Sequence, residues 1–294
     1  MSTQLKRFQA VSRAYVGVVN REYWRIRPYA LPYFHLLDRM HQYLLPRTYL
    51  EIGVSSGASM TLSFPGALNI GVDPEPKVAM PLTRTTTIFA ETSDEFFAGR
   101  ELGTLLAGQP LDLAFIDGMH HFEFALRDFM NIERNAAPET TVLVHDCYPI
   151  DEPSADRVRP PGLWSGDVWK LIVLLKERRP ELRVSVVDVG PTGLGVITGL
   201  QPDSTVLKDS YEEIESKYSQ LTYSYLENGD KATILNLVPN NWATVQLLLP
   251  ARPRRHEPLP LLVSHRAALA GWSVVRSKAR RQRLKLQKRT QPKP

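Results

Sequence analysis

Two aspartates in this chain stand beside histidines, in Asp117-Gly118-Met119-His120-His121 and in His145-Asp146-Cys147. Carboxylate oxygens and imidazole nitrogens together suit Mg²⁺, Mn²⁺ or a similar divalent ion. An imidazole, with a pKa near neutrality, also suits removal of a proton from a substrate hydroxyl. The plainer role for each aspartate is to cap the helix that follows it. Capping accounts for either one more easily than for both, together with His120 and His145. For His121 and His145 taken singly, a structural role is the expectation. A second group lies upstream, where Glu51-Ile52-Gly53-Val54-Ser55-Ser56-Gly57 is followed about 20 residues past Gly53 by Gly71-Val72-Asp73-Pro74. Gly53 and Gly57 let the backbone turn tightly with a ligand against it, and the next N–H groups point at that ligand. An acid at the position of Asp73 suits a bidentate hydrogen bond to a ribose diol, although Asp-Pro is also a turn signal. Ser55 stands where the second glycine of the dinucleotide fingerprint would be, so that fingerprint is not met. Both features in order favour a nucleoside ligand.

These residues need a scaffold that brings loop ends together, and the apolar patterning supplies one. Short apolar runs at 48–54, 67–72, 86–90, 111–116 and 141–145 read as buried strands. Helical patterns at 57–63, 93–107, 122–137 and 167–179 alternate with them, as in a parallel sheet with crossover helices. Strands at 183–189 and 194–198, joined by Gly190-Pro191-Thr192-Gly193, predict a terminal antiparallel hairpin. The expected fold is α/β, a Rossmann-like sheet of seven mostly parallel strands with helices on both faces. Further on, a helix at 211–218 and a strand at 244–249 are predicted. Residues 1–46 read as an N-terminal helical segment, a lid or a dimer contact, with apolar residues such as Phe8, Val11 and Tyr15 and then Phe34, Leu37, Met40 and Leu44 at helical spacing. In open α/β sheets ligands bind beyond the carboxyl ends of the strands, and every residue singled out above follows a strand.

Composition bounds the rest. The chain has 294 residues, 43% of them hydrophobic, which supports a sizeable core and excludes wholesale disorder. A lone cysteine, Cys147, excludes an internal disulfide framework or a multi-cysteine metal site. No apolar run meets the requirement for a membrane span and no signal-type segment opens the chain, so a cytoplasmic protein is expected. The net charge of +5 is unevenly placed: residues 251–294 hold 13 Lys and Arg against Glu257 alone, while residues 1–250 hold 23 bases and 30 acids. A mildly acidic body, with its main domain at 47–250, thus carries a basic tail at 251–294. Such a tail suits a solvated extension, nucleic-acid phosphates or an anionic membrane surface.

The stretches 49–59, Gly71-Val72-Asp73-Pro74, 116–129 and Val144-His145-Asp146 together resemble the class I S-adenosylmethionine-dependent methyltransferases. The likeness is to the bacterial family described as methyltransferase domain 24, related to metal-dependent sugar and macrolide O-methyltransferases. Trp164-Ser165-Gly166-Asp167-Val168-Trp169-Lys170 and Gly193-Leu194-Gly195-Val196-Ile197 extend it, so that it covers about residues 48–199. The resemblance implies that Glu51, Gly53 and Gly57 hold the methionine end of S-adenosylmethionine, Asp73 the ribose hydroxyls, and Thr92 and Ser93 the adenine. It implies catalytic roles for Asp117, His120 and Asp146, with Asp117 and Asp146 as ligands of a divalent cation completed by His120 or Asp167. The family often has adjacent acids after the fifth strand; here Cys147 follows Asp146.

A base or a cation is what a hydroxyl acceptor needs and an amine or carboxylate acceptor does not. The expected function is therefore O-methylation of a small molecule or glycan. The rival classes are a nucleic-acid methyltransferase guided by the tail, and a non-catalytic binding protein.

Overall fold

The computed structural model describes residues 32–64 and 66–251. The described residues belong to one compact unit. The first predicted N-terminal helix and the basic tail lie outside the described residues.

Helices of seven residues or more are numbered α1–α6. In chain order the elements are α1 Pro32–Leu44, β1 Thr48–Ile52, β2 Leu68–Val72, β3 Thr86–Phe89, α2 Ser93–Gly99, β4 Leu111–Ile116, α3 Phe122–Arg134, β5 Ala136–His145, α4 Trp169–Arg178, β6 Arg183–Asp188, β7 Leu194–Thr198, α5 Tyr211–Ser219, β8 Leu237–Pro239 and α6 Trp242–Leu248. They build one sheet of order β3-β2-β1-β4-β5-β7-β6-β8. All pairings are parallel except those of β7 with β5 and β6. The predicted Rossmann-like sheet with its antiparallel pair is therefore present, with an eighth edge strand added at β8.

Two apolar layers cover the sheet. One face carries α2, α3 and α4, with Phe96, Phe122, Phe129 and Trp169 fully buried. The other is closed by α1, whose Tyr33, Phe34, Leu37, Met40 and Leu44 are buried at helical spacing, and by Val245 of α6. Burial on both faces explains why the parallel strands read as unbroken apolar runs.

Four local expectations are corrected. The 57–63 helix is only a 3-10 turn at Met60–Leu62, since a short Gly- and Ser-rich segment running into Pro65 cannot hold longer. The 93–107 helix breaks at Arg100, which is extended and pairs through Nε with Glu91 at 2.5 Å; the poor helix former Gly99 precedes it. Helix α3 stops at Arg134 and β5 begins at once, with a register shift against β4 between Leu111 and Leu113. The strand at 244–249 is helix α6, because Asn241 caps it by accepting a hydrogen bond from the Thr244 N–H at 3.0 Å.

Candidate active site

The strand register assembles the site. Ile52 of β1 pairs with Val72 of β2 and Ile116 of β4, and Ile116 pairs with Val144 of β5. The next residue of each strand, namely Asp73, Gly53, Asp117 and His145, therefore stands in one row along the carboxyl edge of the sheet. Backbone bonds carry the ladder that far: Gly53 donates to Val72, Asp117 to Ile52 and Asp73 to Phe89, at 2.8–3.1 Å. The strand order reverses between β1 and β4, the place where open sheets leave a crevice.

Gly53 has φ +90° because Asp117 lies against it; a Cβ there would meet the Asp117 carbonyl oxygen at 1.9 Å. The glycine thus admits neighbouring backbone as well as a tight turn. Ser55 and Gly57 also take positive φ, at 46° and 78°. Beneath this turn Glu51 is fully buried and accepts from Tyr49 Oη at 2.7 Å and Ser59 Oγ at 2.6 Å. Burial pushes its pKa up to about 8, outweighing those two hydrogen bonds. Glu51 therefore braces the turn from below. Asp73 clamps it from the side, one oxygen accepting from the Ser55 N–H and the other from the Glu75 N–H, both at 2.7 Å. Thr92 forms a capping box with Glu95 at the start of α2, and the Ser93 hydroxyl bonds Asp128 of α3.

At the other end of the row the carboxylates and imidazoles converge. Asp117, His120 and Asp146 present ligand atoms within 4.8 Å of one another. His120 Nδ1 is 3.1 Å from Asp146 Oδ2 and 3.0 Å from the Trp164 carbonyl oxygen, and its Nε2 is 3.9 Å from Asp117 Oδ1. Trp164 stacks on the His120 ring at 4.7 Å and 18°. Asp146 sits at φ +62°, a left-handed conformation that Asp tolerates better than most residues, and Thr192 Oγ1 donates to its Oδ1 at 2.5 Å. Asp167 is directed elsewhere: it accepts from the Phe122 N–H at 2.7 Å, capping α3, and pairs with Arg157 and Lys170.

Residues 50–147 match the family model described as a methyltransferase domain. The chain carries a methyltransferase domain. No curated protein matches the chain. Among solved structures, the O-methyltransferase from Bacillus cereus with S-adenosylhomocysteine aligns at 14% identity and TM-score 0.46, over 65% of this chain and 97% of that one. The O-methyltransferase TomG from Streptomyces achromogenes, involved in tomaymycin synthesis and bound to S-adenosylmethionine, aligns at 14% identity and TM-score 0.46, over 68% and 100%. At these values the likeness assigns neither a ligand nor an acceptor to this methyltransferase.

One residue of this cluster was read from sequence as structural. His145 Nδ1 lies 3.2 Å from both Asp117 Oδ1 and Asp146 Oδ2, under the Tyr33 ring of α1 at 4.1 Å. A single N–H bridges the two acids. Burial would lower the pKa of His145, but the Asp117 and Asp146 carboxylates outweigh it and raise it to about 10. The only sequence signal was that His145 directly precedes Asp146 at the end of an apolar run. The imidazolium contributes stability in full below its unfolded value, about 6.5, and loses it as pH climbs through 10. Melting temperature is thus expected to fall between pH 7 and 10 in the parent and to fall less steeply in His145→Gln. Identical pH profiles would show that His145 is not the buried cation.

Proposed function

We propose that this methyltransferase moves a methyl group from S-adenosylmethionine to a hydroxyl oxygen of a small molecule or glycan, with His120 as the base. The observation that carries the reading is the anchoring of His120. Both acceptors near Nδ1, Asp146 and the Trp164 carbonyl, call for a proton on that nitrogen. Nε2 is then left as the basic lone pair. When Nε2 takes up the hydroxyl proton, Asp117 faces the new charge at 3.9 Å.

The residues along the β1 and β2 ends fit the cofactor. The turn 53–57 has three left-handed residues, and Asp73 has acceptor capacity to spare: a carboxylate offers about four lone-pair sites, and two backbone N–H groups occupy one on each oxygen. Bound S-adenosylmethionine supplies an electrophilic methyl on a sulfonium. The chain contributes the rest by position: Asp73 orients the ribose, the Gly53 turn sets the approach, and His120 removes the acceptor proton as the O–C bond forms.

A divalent-assisted version has its own support, since Asp117, His120 and Asp146 offer three donor atoms within 4.8 Å. Those residues would hold the ion, which would supply a lowered hydroxyl pKa. Against it stands His145, whose N–H already bridges the two carboxylates. EDTA separates the versions: only the assisted one loses activity that Mg²⁺ or Mn²⁺ restores.

Calorimetric titration with S-adenosylhomocysteine tests the cofactor half. The parent should bind, and Asp73→Ala should bind about tenfold or more weakly, because a charged hydrogen-bonding group worth about 1.5–3 kcal/mol is removed. Equal affinity in a folded Asp73→Ala protein would overturn this placement. No binding by the folded parent would instead support the non-catalytic class.

A further inference from the structure

Most large apolar side chains here are buried, and the exceptions are not scattered evenly. Eight are exposed among the described residues, and three of them, Met119, Val158 and Leu163, lie in the segments that pack beside His120 and His121. Val158 is 77% exposed, Leu163 52% and Met119 51%. Their grouping follows from the contacts of these segments. Met119 precedes His120, and Leu163 precedes Trp164, which stacks on His120. Val158 follows Arg157, whose carbonyl lies 2.9 Å from His121 Nε2, and the Trp164 Nε1–H donates to the Asp156 carbonyl at 2.7 Å. The loop tip between them, Arg159-Pro160-Pro161-Gly162, has two prolines with fixed φ. The apolar groups are therefore held outward by a stiff loop pinned at both ends.

Exposed apolar patches rimmed by polar residues mark contact with a partner or a membrane. Charge decides which partner fits. Arg159, with its guanidinium 5.6 Å from the Trp164 ring centroid, has no ion-pair partner among the described residues. The same loop carries Asp151, Glu152 and Asp156 against Arg157 and Arg159, so it adds no net positive charge. The attraction must come from the 13 Lys and Arg of residues 251–294. A tethered tail contributes by effective concentration, without needing a fixed seat on the body. Exposed apolar wedges plus a polybasic tail are the two signals that stable attachment to an anionic bilayer requires.

We propose that the loop carrying Val158 and Leu163 inserts into an anionic lipid surface, with the basic tail as its electrostatic anchor, so that the mouth of the His120 site faces the bilayer. Attachment is peripheral: no helix among the described residues is long and apolar enough to cross a membrane. The docking does not depend on which group reacts. Its consequence does rest on the methyl-transfer reading: the acceptor hydroxyl is then one presented at a lipid surface, on an amphiphile or a lipid-borne headgroup.

The test is sedimentation of the full chain with vesicles of phosphatidylcholine alone or mixed with phosphatidylglycerol, with no turnover involved, so loss of methyl transfer would leave the readout intact. Partition is expected only onto the anionic vesicles, and it should weaken with salt. The double change Val158→Glu, Leu163→Glu should lower partition about tenfold or more. Leu247→Glu, at an 82% exposed apolar position on α6, should leave it unchanged. Absence of partition at low salt would overturn the proposal. So would equal partition of the double variant, or an equal drop in Leu247→Glu. Undiminished partition of the double variant that competing RNA abolishes would assign the tail to nucleic acid instead.

Discussion

Replacing His120 with alanine is expected to slow methyl transfer by about 10²–10⁴-fold, the usual span for a lost general base. The loss should fall on kcat, because the ring is anchored to Asp146 and to the Trp164 carbonyl rather than to the turn at Gly53. Affinity for S-adenosylhomocysteine should stay near the parent value. His120 is partly exposed and is followed by a helix capped independently by Asp167, so the variant should fold. Asp146→Asn should fall in the same direction by a smaller factor, since it keeps a polar partner for Nδ1 but loses the charge that stabilises the imidazolium. Parent rates in both variants across a screen of hydroxyl acceptors would sink the base assignment. They would point to an acceptor that needs no activation. Running the same rates with and without EDTA tells whether a cation shares the work.

Gly53→Ala is expected to cost about 3 kcal/mol or more, at the severe end for single substitutions. Two costs coincide. The residue sits at φ +90°, where a side chain is strained. The new Cβ would also fall 1.9 Å from the Asp117 carbonyl oxygen and 2.7 Å from Gly118 Cα, both main chain, so neither can swing aside. The β1 and β4 ends must separate, and Asp117 moves with them. For a domain of this size the melting temperature should drop by about 6–12 °C. Gly118→Ala is the control: its Cβ would press on the Ile52 side chain at 3.2 Å and touch the main chain of Ile52 and Gly53 at an ordinary 3.9 Å, without a left-handed φ, and should cost much less. Equal stability of Gly53→Ala and parent would show that the two loops do not pack as described.

The apolar runs located seven of the eight strands, because a strand buried on both faces admits little but apolar side chains. Only the buried half of β5 was legible, since its first residues, Ala136–Glu139, are not buried, and the short edge strand β8 was not read. The same arithmetic placed Gly53, Asp73, Asp117 and Asp146 just past strand ends, where a sheet of this kind exposes its chemistry. Weak periodic signals failed where a single cap or a helix breaker decides. The 57–63 segment never became a full helix, and 244–249 became α6 instead of a strand because one Asn cap outweighs β-branched composition. The site shows the division most clearly. Asp167 looked like a third carboxylate for a cation, yet it caps α3 and pairs with Arg157 and Lys170. His145 looked structural, yet it bridges Asp117 and Asp146. Residue types and their distance from a strand end are properties of the chain itself. Which nitrogen meets which oxygen depends on the register of β4 against β5 and on a loop that returns Trp164 to His120. Those contacts link residues about 30–45 positions apart, and no local pattern encodes them.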